Sequence, residues 1–271
     1  VENFVYNLSL KQIEEGYDVH VLTLNREFRS NRLLCSKEII KNIHIKRISF
    51  FGSKRYPIAF FKFNFLKQYD VIHIHCVDFF LDYLVVTKLV HARPLFLHTH
   101  GGFFHTKKYF FIKKIFFYII TRIMLKGCIS VIACSNNDYR LFTKIHKNVT
   151  QIDNGVDIKR FQSIKKKQIP GRFIYFGRVD YHKRIDLIIH CVKLLKDQNL
   201  KVQLNIIGPN WNKCADYLAD LVHQLGIKKN VYFYGEVSNR VLLEELSLAH
   251  IFMSASEYEG FGISAVEAMS S

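Results

Sequence analysis

Arg172-Phe173-Ile174-Tyr175-Phe176-Gly177-Arg178-Val179-Asp180-Tyr181-His182-Lys183 is the stretch that decides the fold class. Arg172 to Phe176, rich in aromatic and β-branched side chains, reads as a strand, and Gly177 ends it. A helix-patterned run from about Arg184 to Gln198 follows, and then a second apolar strand, Val202 to Ile207. The same alternation continues with a helix from about Ala215 to Leu225 and a strand from Val231 to Tyr234. A helix near Arg240 to Leu248 and a strand from Ile251 to Ser254 complete it. Strand-helix-strand alternation predicts a mostly parallel sheet with helices on both faces, and ligands in such sheets bind at the carboxyl ends of strands.

The first half reads the same way. Phe4 to Glu15 is helix-like, Asp18 to Leu24 and Ile43 to Ile48 are strand-like, and short strands are expected at Val71 to His75, Leu95 to Thr99 and Ser130 to Ala133. The strand-end residues His75, His100, Gly101 and Ser135 are therefore candidates for ligand contact. Two α/β domains, 1–150 and 151–271, with a cleft between them are expected, and Ile164 to Gly171 reads as a linker or solvated loop. Both ends read as cut. The chain opens inside a helix where a strand and a glycine loop are expected, and it stops within the helix that carries Glu267.

At 271 residues, with 49% hydrophobic and 23% charged residues, the composition is globular rather than disordered. Six scattered cysteines with no C-x-x-C pair fit a reducing cytoplasm. The net charge of +16 is uneven: residues 1–150 hold 23 Lys and Arg against 10 Asp and Glu, residues 151–271 hold 16 against 13. The first half is thus built to meet something anionic: nucleic acid, anionic lipid or a pyrophosphate-bearing substrate.

Lys107 to Lys126 (KKYFFIKKIFFYIITRIMLK) combines aromatics with a basic arc of roughly 120° formed by Lys107, Lys108, Lys114, Arg122 and Lys126. Its longest charge-free stretch, Ile115 to Thr121, is seven residues, against the roughly 20 a bilayer span needs. The segment suits an anionic membrane surface; a core-facing helix with a basic outer face is the alternative. Nucleic acid is disfavoured, because no sheet face shows the aromatics that RNA reading uses.

Two clusters carry chemistry. Gly177 with Arg178 and Lys183 offers a planar fork and a point charge to one diphosphate, cations that would stabilise a departing nucleoside diphosphate. Ser256-Glu257-Tyr258-Glu259-Gly260-Phe261-Gly262-Ile263-Ser264-Ala265-Val266-Glu267 places two carboxylates eight positions apart around a Gly-Phe-Gly turn at a helix start. Glu267 falls about one and a half turns into that helix, where it can face the same pocket as Glu259. Such a site suits a nucleotide sugar. His98-Thr99-His100-Gly101-Gly102-Phe103-Phe104-His105 ends a strand, and His100 beside Gly101-Gly102 is the imidazole expected to reach a ligand. A metal site using His73 and His75 as well is the rival, although no carboxylate or cysteine stands at ligand spacing.

Asp70 to His75, Thr99-His100-Gly101-Gly102, Asn154-Gly155-Val156-Asp157, Gly177-Arg178-x4-Lys183 and Glu259-x7-Glu267, in that order, resemble the retaining glycosyltransferases of family 4, which have the GT-B fold. More narrowly, Arg55-Tyr56-Pro57-Ile58-Ala59, Asp78 to Leu84, Thr99 to Thr106 and Glu259 to Ser270 are similar to bacterial α-mannosyltransferases of xanthan- and acetan-like exopolysaccharide assembly. The resemblance implies two Rossmann-like doubly wound domains facing a cleft. It also implies GDP-mannose as donor, a cellobiosyl-diphosphopolyprenol acceptor at the inner membrane face, and no metal. In that reading Arg178 and Lys183 hold the donor diphosphate and Glu259 positions the sugar. Gly260, Phe261 and Gly262 line the donor, Glu267 contacts the nucleotide side, His100 reaches toward the sugar, and Ser135 sits at a matching strand end. A UDP-sugar donor, a non-catalytic membrane-binding remnant and a nucleic-acid binder are the competing expectations.

Overall fold

The computed structural model describes residues 1–28, 31–53, 56–101, 109–162 and 164–271. Arg55 and the stretch Gly102 to Lys108, which carry parts of the motifs above, lie outside the described residues. The chain divides into two compact units, Val1–Asn154 and Gly155–Ser271.

The second unit contains helix α7 (Ile158–Gln162), strand β10 (Arg172–Phe176), α8 (Ile185–Asp197), β11 (Gln203–Ile207) and α9 (Cys214–Gln224); these and later labels count from the chain start. It continues with β12 (Val231–Gly235), α10 (Asn239–Leu248), β13 (Ile251–Phe252) and α11 (Ile263–Met269). The four strands form one parallel sheet in the order β12-β11-β10-β13. The period of two along β10 sorts its side chains. Phe173 and Tyr175 join Leu204 and Ile206 beneath α8 and α9, while Ile174 and Phe176 join Ile207, Phe161 and Leu246 on the opposite face with α7 and α10. Both faces are buried, as the near-continuous apolar runs of β10 and β11 require.

The first unit contains α1 (Glu2–Glu14), β1 (His20–Leu24), β2 (Lys37–Ile40), β3 (Ile43–Ile48), β4 (Phe51–Ser53) and β5 (Tyr56–Ile58). It continues with β6 (Ile72–His75), α2 (Phe79–Val86), α3 (Lys88–His91), β7 (Leu95–His98), α4 (Phe110–Ile115), α5 (Arg122–Leu125), β8 (Ser130–Ala133), α6 (Asn136–Phe142) and β9 (Val149–Gln151). The parallel sheet β6-β7-β8-β9 positions the candidate residues; β1-β3-β2, with β2 antiparallel to β3, and the antiparallel pair β4-β5 are separate sheets. Ile74, Leu95, Leu97 and Val131 pack against Leu81 and Leu84 of α2 and against Phe117, Leu125 and Phe142. All six cysteines are free thiols.

Two expectations need correction. The segment 164–171 is not simply solvated: Ile164 packs into the core shared with α10, and the N–H groups of Lys167 and Ile169 donate to the carbonyls of Ser247 and Leu248 at 2.8 and 3.0 Å. The basic aromatic helix is not one uniform α-helix either. Phe116–Thr121 adopts π geometry between α4 and α5, and a π-turn lets one helical run set Phe117, Thr121 and Leu125 inward together.

Candidate active site

The carboxyl ends of β10 and β11 meet through two glycines. Gly177 (φ +141°) and Gly208 (φ +139°) abut so closely that a Cβ on Gly208 would lie 1.8 Å from the Gly177 carbonyl oxygen. Beyond them the chain continues parallel, Val179 pairing with Asn210, and the Tyr175 hydroxyl donates to the Arg178 carbonyl at 2.7 Å. Arg178 lies over the Trp211 ring, 4.5 Å from its centroid, a cation–π contact that holds the guanidinium at the strand end.

Lys183 closes the 3-10 turn Tyr181–Lys183, which Asp180 caps by accepting from the Tyr181 N–H at 2.8 Å. Its ammonium donates to Glu259 Oε1 at 2.5 Å, and the same oxygen accepts from Ser256 Oγ at 2.8 Å. Arg184, in the left-handed region at φ +48°, is fixed by Asp186 at 2.9 Å and Glu257 at 3.0 Å. The Glu257 N–H donates to the His182 carbonyl at 3.0 Å, so the loop bearing Glu259 is tied to the loop bearing Lys183 through both backbone and side chains. Burial, reinforced by the nearby Glu259 carboxylate, pushes the Tyr175 hydroxyl well above its ordinary range.

Gly262 enters α11 at φ +80°, and no side chain caps the helix start. The start of α11 adjoins Gly177: a Cβ there would lie 3.3 Å from Ser264 Oγ. Gly177, Arg178, Lys183, Glu259 and the Gly260-Phe261-Gly262 turn are thus gathered at one end of the second unit's sheet. Glu267 stands further along α11, which packs on α7. Burial raises its carboxyl, opposed by the charge of Arg160. Arg184, Glu257 and Ser256, which hold the pair in place, escaped the sequence reading; their signal was adjacency to the residues it singled out.

In the first unit, His100 Nε2 and His75 Nδ1 share a hydrogen bond at 3.0 Å. His100 also stacks on His98, ring centroids 4.8 Å apart and 13° from parallel, and meets the Phe4 ring edge-on at 5.0 Å. Burial, with His98 close by, lowers His100 to about 3, so it is a neutral imidazole. Ser135 caps α6 by accepting from the Asp138 N–H at 3.3 Å. Gly101 (φ +72°) donates its N–H to Asp138 Oδ2 at 2.9 Å.

Asp138 is the residue that sequence reasoning missed here. Buried, it accepts from the Thr99 hydroxyl, the Gly101 N–H and the Cys134 thiol, and so shapes the turn after His100. Ser135-x-x-Asp138 before an apolar run is a capping-box pattern that could have found it. Asp138→Ala strands three donors, two of them in buried residues, and is expected to cost about 3 kcal/mol, read as a lower midpoint in urea denaturation.

Residues 1–160 match the family model described as Glycosyltransferase Family 4, and residues 157–271 match Glycosyl transferases group 1. The chain is 33% identical to the GDP-mannose:cellobiosyl-diphosphopolyprenol alpha-mannosyltransferase of Xanthomonas campestris, over 100% of this chain and 72% of the relative. It is 32% identical to the protein of the same description from Komagataeibacter xylinus, over 100% of this chain and 69% of the relative. Among solved structures, sucrose-phosphate synthase from Thermosynechococcus elongatus aligns with a TM-score of 0.71 at 16% identity, covering 98% of this chain and 72% of that one. Anabaena HepE in complex with UDP and glucose aligns with a TM-score of 0.64 at 18% identity, covering 84% of this chain and 65% of that one. These likenesses place the fold among the GT-B glycosyltransferases. Matched along its whole length by the two family models and by relatives a third identical to it, the chain belongs to glycosyltransferase family 4.

Proposed function

We propose that the protein transfers mannose from GDP-mannose to a polyprenyl-diphosphate-linked oligosaccharide with retention of the α configuration. The observation that carries this reading is the Lys183–Glu259 pair beside Arg178 at the glycine-lined ends of β10 and β11. Similarity along the whole of this chain to two proteins described as GDP-mannose:cellobiosyl-diphosphopolyprenol alpha-mannosyltransferases supports the donor. Arg178 and Lys183 bind the donor diphosphate, Glu259 accepts hydrogen bonds from the sugar hydroxyls, and Glu267 serves the nucleotide side. Before the donor arrives Lys183 and Glu259 neutralise each other; the diphosphate then takes the ammonium, and Glu259 turns to the sugar.

The bond from the anomeric carbon to the diphosphate oxygen breaks as the acceptor oxygen bonds to the same face. The acceptor's proton passes to the departing diphosphate. Charge grows on that leaving group, so cations preset for it lower the barrier. Side-chain cations fill this role without a metal ion at the diphosphate. His100, a neutral imidazole bonded to His75, is proposed to offer a ring nitrogen to a sugar hydroxyl. The test is incubation with GDP-mannose and a cellobiosyl-diphosphopolyprenol. A mannose-extended lipid-linked trisaccharide is expected. Extension from a UDP-sugar but not from GDP-mannose would contradict the reading, as would a stable mannosyl adduct on Glu259.

The acceptor is proposed to be met on the inner face of the cell membrane. No helix among the described residues is long and apolar enough to cross a bilayer. The helical run 110–125 instead turns Phe117 and Leu125 into the core and leaves Phe111 (75% exposed), Ile112, Ile119 and Ile123 in solvent beside Lys114, Arg122 and Lys126. Phe111→Asp with Ile112→Asp removes two side chains worth about 1.5–3 kcal/mol each on full burial. Co-sedimentation with vesicles containing anionic lipid is expected to weaken by at least about tenfold. Unchanged co-sedimentation would exclude this surface.

A further inference from the structure

Histidines crowd the face of the β6–β9 sheet opposite α2. Alternation along β6 sends Ile74 into the core with α2 and sets His73 and His75 on the other face. Pairing of His75 with His98 across β6 and β7 places a third ring beside them. One ring nitrogen from each of His73, His75 and His98 lies within 4.8 Å of the other two. His98 is only 4% exposed, yet neither of its ring nitrogens has a hydrogen-bond partner among the described residues, and His73 Nε2 has none either.

Every neutral imidazole carries one donor and one acceptor, and leaving such a group buried and unpaired costs about 1–3 kcal/mol. The stacked rings do not repair this. His73 and His98 lie 15° from parallel with centroids 5.4 Å apart, an arrangement that directs their nitrogens alongside rather than at each other. A shared electrophile between the three nitrogens would satisfy them together. We propose that His73, His75 and His98 form a site for one divalent transition-metal ion of the zinc class.

The donor set selects the ion. Imidazole nitrogens suit zinc, nickel and copper, and no carboxylate belongs to the group, which argues against the oxygen-preferring calcium and magnesium. Zinc–nitrogen bonds of about 2.0–2.1 Å put tetrahedral ligand nitrogens roughly 3.4 Å apart. The rings therefore draw in by about an ångström on binding, a movement within reach of imidazole rotation. His75 has Nδ1 engaged with His100 and keeps Nε2 for the ion, the arrangement in which a ligating histidine is oriented by its other nitrogen. His100 thereby becomes the outer partner of the site. Binding is independent of the donor assigned above; only an effect on His100 rests on that reading.

The test uses the full chain after chelator treatment. Cobalt(II) is titrated while its visible absorption is followed, zinc is titrated by calorimetry, and His73→Gln, His98→Gln and the outlying His250→Gln are compared. One ion per chain is expected, with the intense absorption of a four- or five-coordinate cobalt site. Second-shell losses alone cost about 10–100-fold in affinity, so His73→Gln should cost at least about 100-fold. His250→Gln should cost nothing. Because His98 is buried, melting curves accompany its variant; if that variant fails to fold, half-buried His73 decides the matter. Hyperfine-shifted imidazole signals in the cobalt form provide a separate readout. Absence of binding tighter than millimolar, or affinity that survives His73→Gln, overturns the proposal.

Discussion

Lys183→Ala is expected to lower kcat with GDP-mannose by about 100- to 1,000-fold while leaving the protein folded. The lysine's place is set by its surroundings rather than by its own charge. Its backbone N–H closes onto the Asp180 carbonyl at 3.0 Å, Asp180 caps the turn, and Arg184 is clamped by Asp186 and Glu257. Removing the ammonium therefore leaves the loop standing. The lost pair with Glu259, whose carboxylate is partly exposed, contributes no more than about 1 kcal/mol to stability. What disappears is a cation that meets the negative charge growing on the departing diphosphate, an interaction stronger in the transition state than in the ground state. Lys183→Arg should recover part of the rate, because the charge returns with a different geometry. Steady-state kinetics and a thermal melt on the same preparation check this. Equal loss of rate and melting temperature would point to a structural role instead.

Gly208→Ala is expected to destabilise the second unit by about 3–5 kcal/mol, combining the cost of a left-handed φ with that of forced overpacking. The new Cβ would lie 1.8 Å from the Gly177 carbonyl oxygen and 2.7 Å from its carbon, and both are backbone atoms that cannot swing aside. The strands would have to part where Gly177 N–H donates to the Ile207 carbonyl at 2.9 Å, and Gly177 carries Arg178 with it. Donor affinity should fall along with stability, and the melting temperature by roughly 10 °C. Gly155→Ala is the matched control, since its Cβ would meet no atom within 4 Å and its φ lies outside the left-handed range. A Gly208→Ala protein as stable as the Gly155→Ala protein would contradict the close approach.

Strands were legible in the sequence where apolar, β-branched runs or a clean alternation such as that of Ile43–Ile48 stand out against polar loops. Ile43–Ile48, Ser130–Ala133 and Arg172–Phe176 occur with the boundaries their patterns give. Elements without a period were not. Helix α2, Phe79-Phe80-Leu81-Asp82-Tyr83-Leu84-Val85-Val86, is apolar around most of its circumference, so no face distinguishes helix from strand. The β4–β5 pair hides behind Gly52 and Pro57, which weaken any strand reading. Strand Ile251 to Ser254 came out as Ile251–Phe252 because the chain leaves the sheet edge early, with Met253 and Ala255 turning onto the core beneath α8 and α9.

The site divided similarly. Arg178, Lys183 and Glu259 announce themselves by charge beside glycine, whereas Asp138 and Arg184 act through contacts that only the folded chain creates. The histidines show the limit most clearly. Spacing alone offered no carboxylate or cysteine to complete a metal site, while the parallel register of β6 and β7 brings three imidazoles together.

Calorimetric titration of the full chain with GDP-mannose, GDP and guanosine, repeated with Arg178→Ala/Lys183→Ala, tests most directly whether the cations at the ends of β10 serve an activated-sugar diphosphate. GDP and GDP-mannose are expected to bind the wild-type chain far more tightly than guanosine does, and the double variant to erase this advantage. GDP binding of undiminished affinity in the double variant would contradict it.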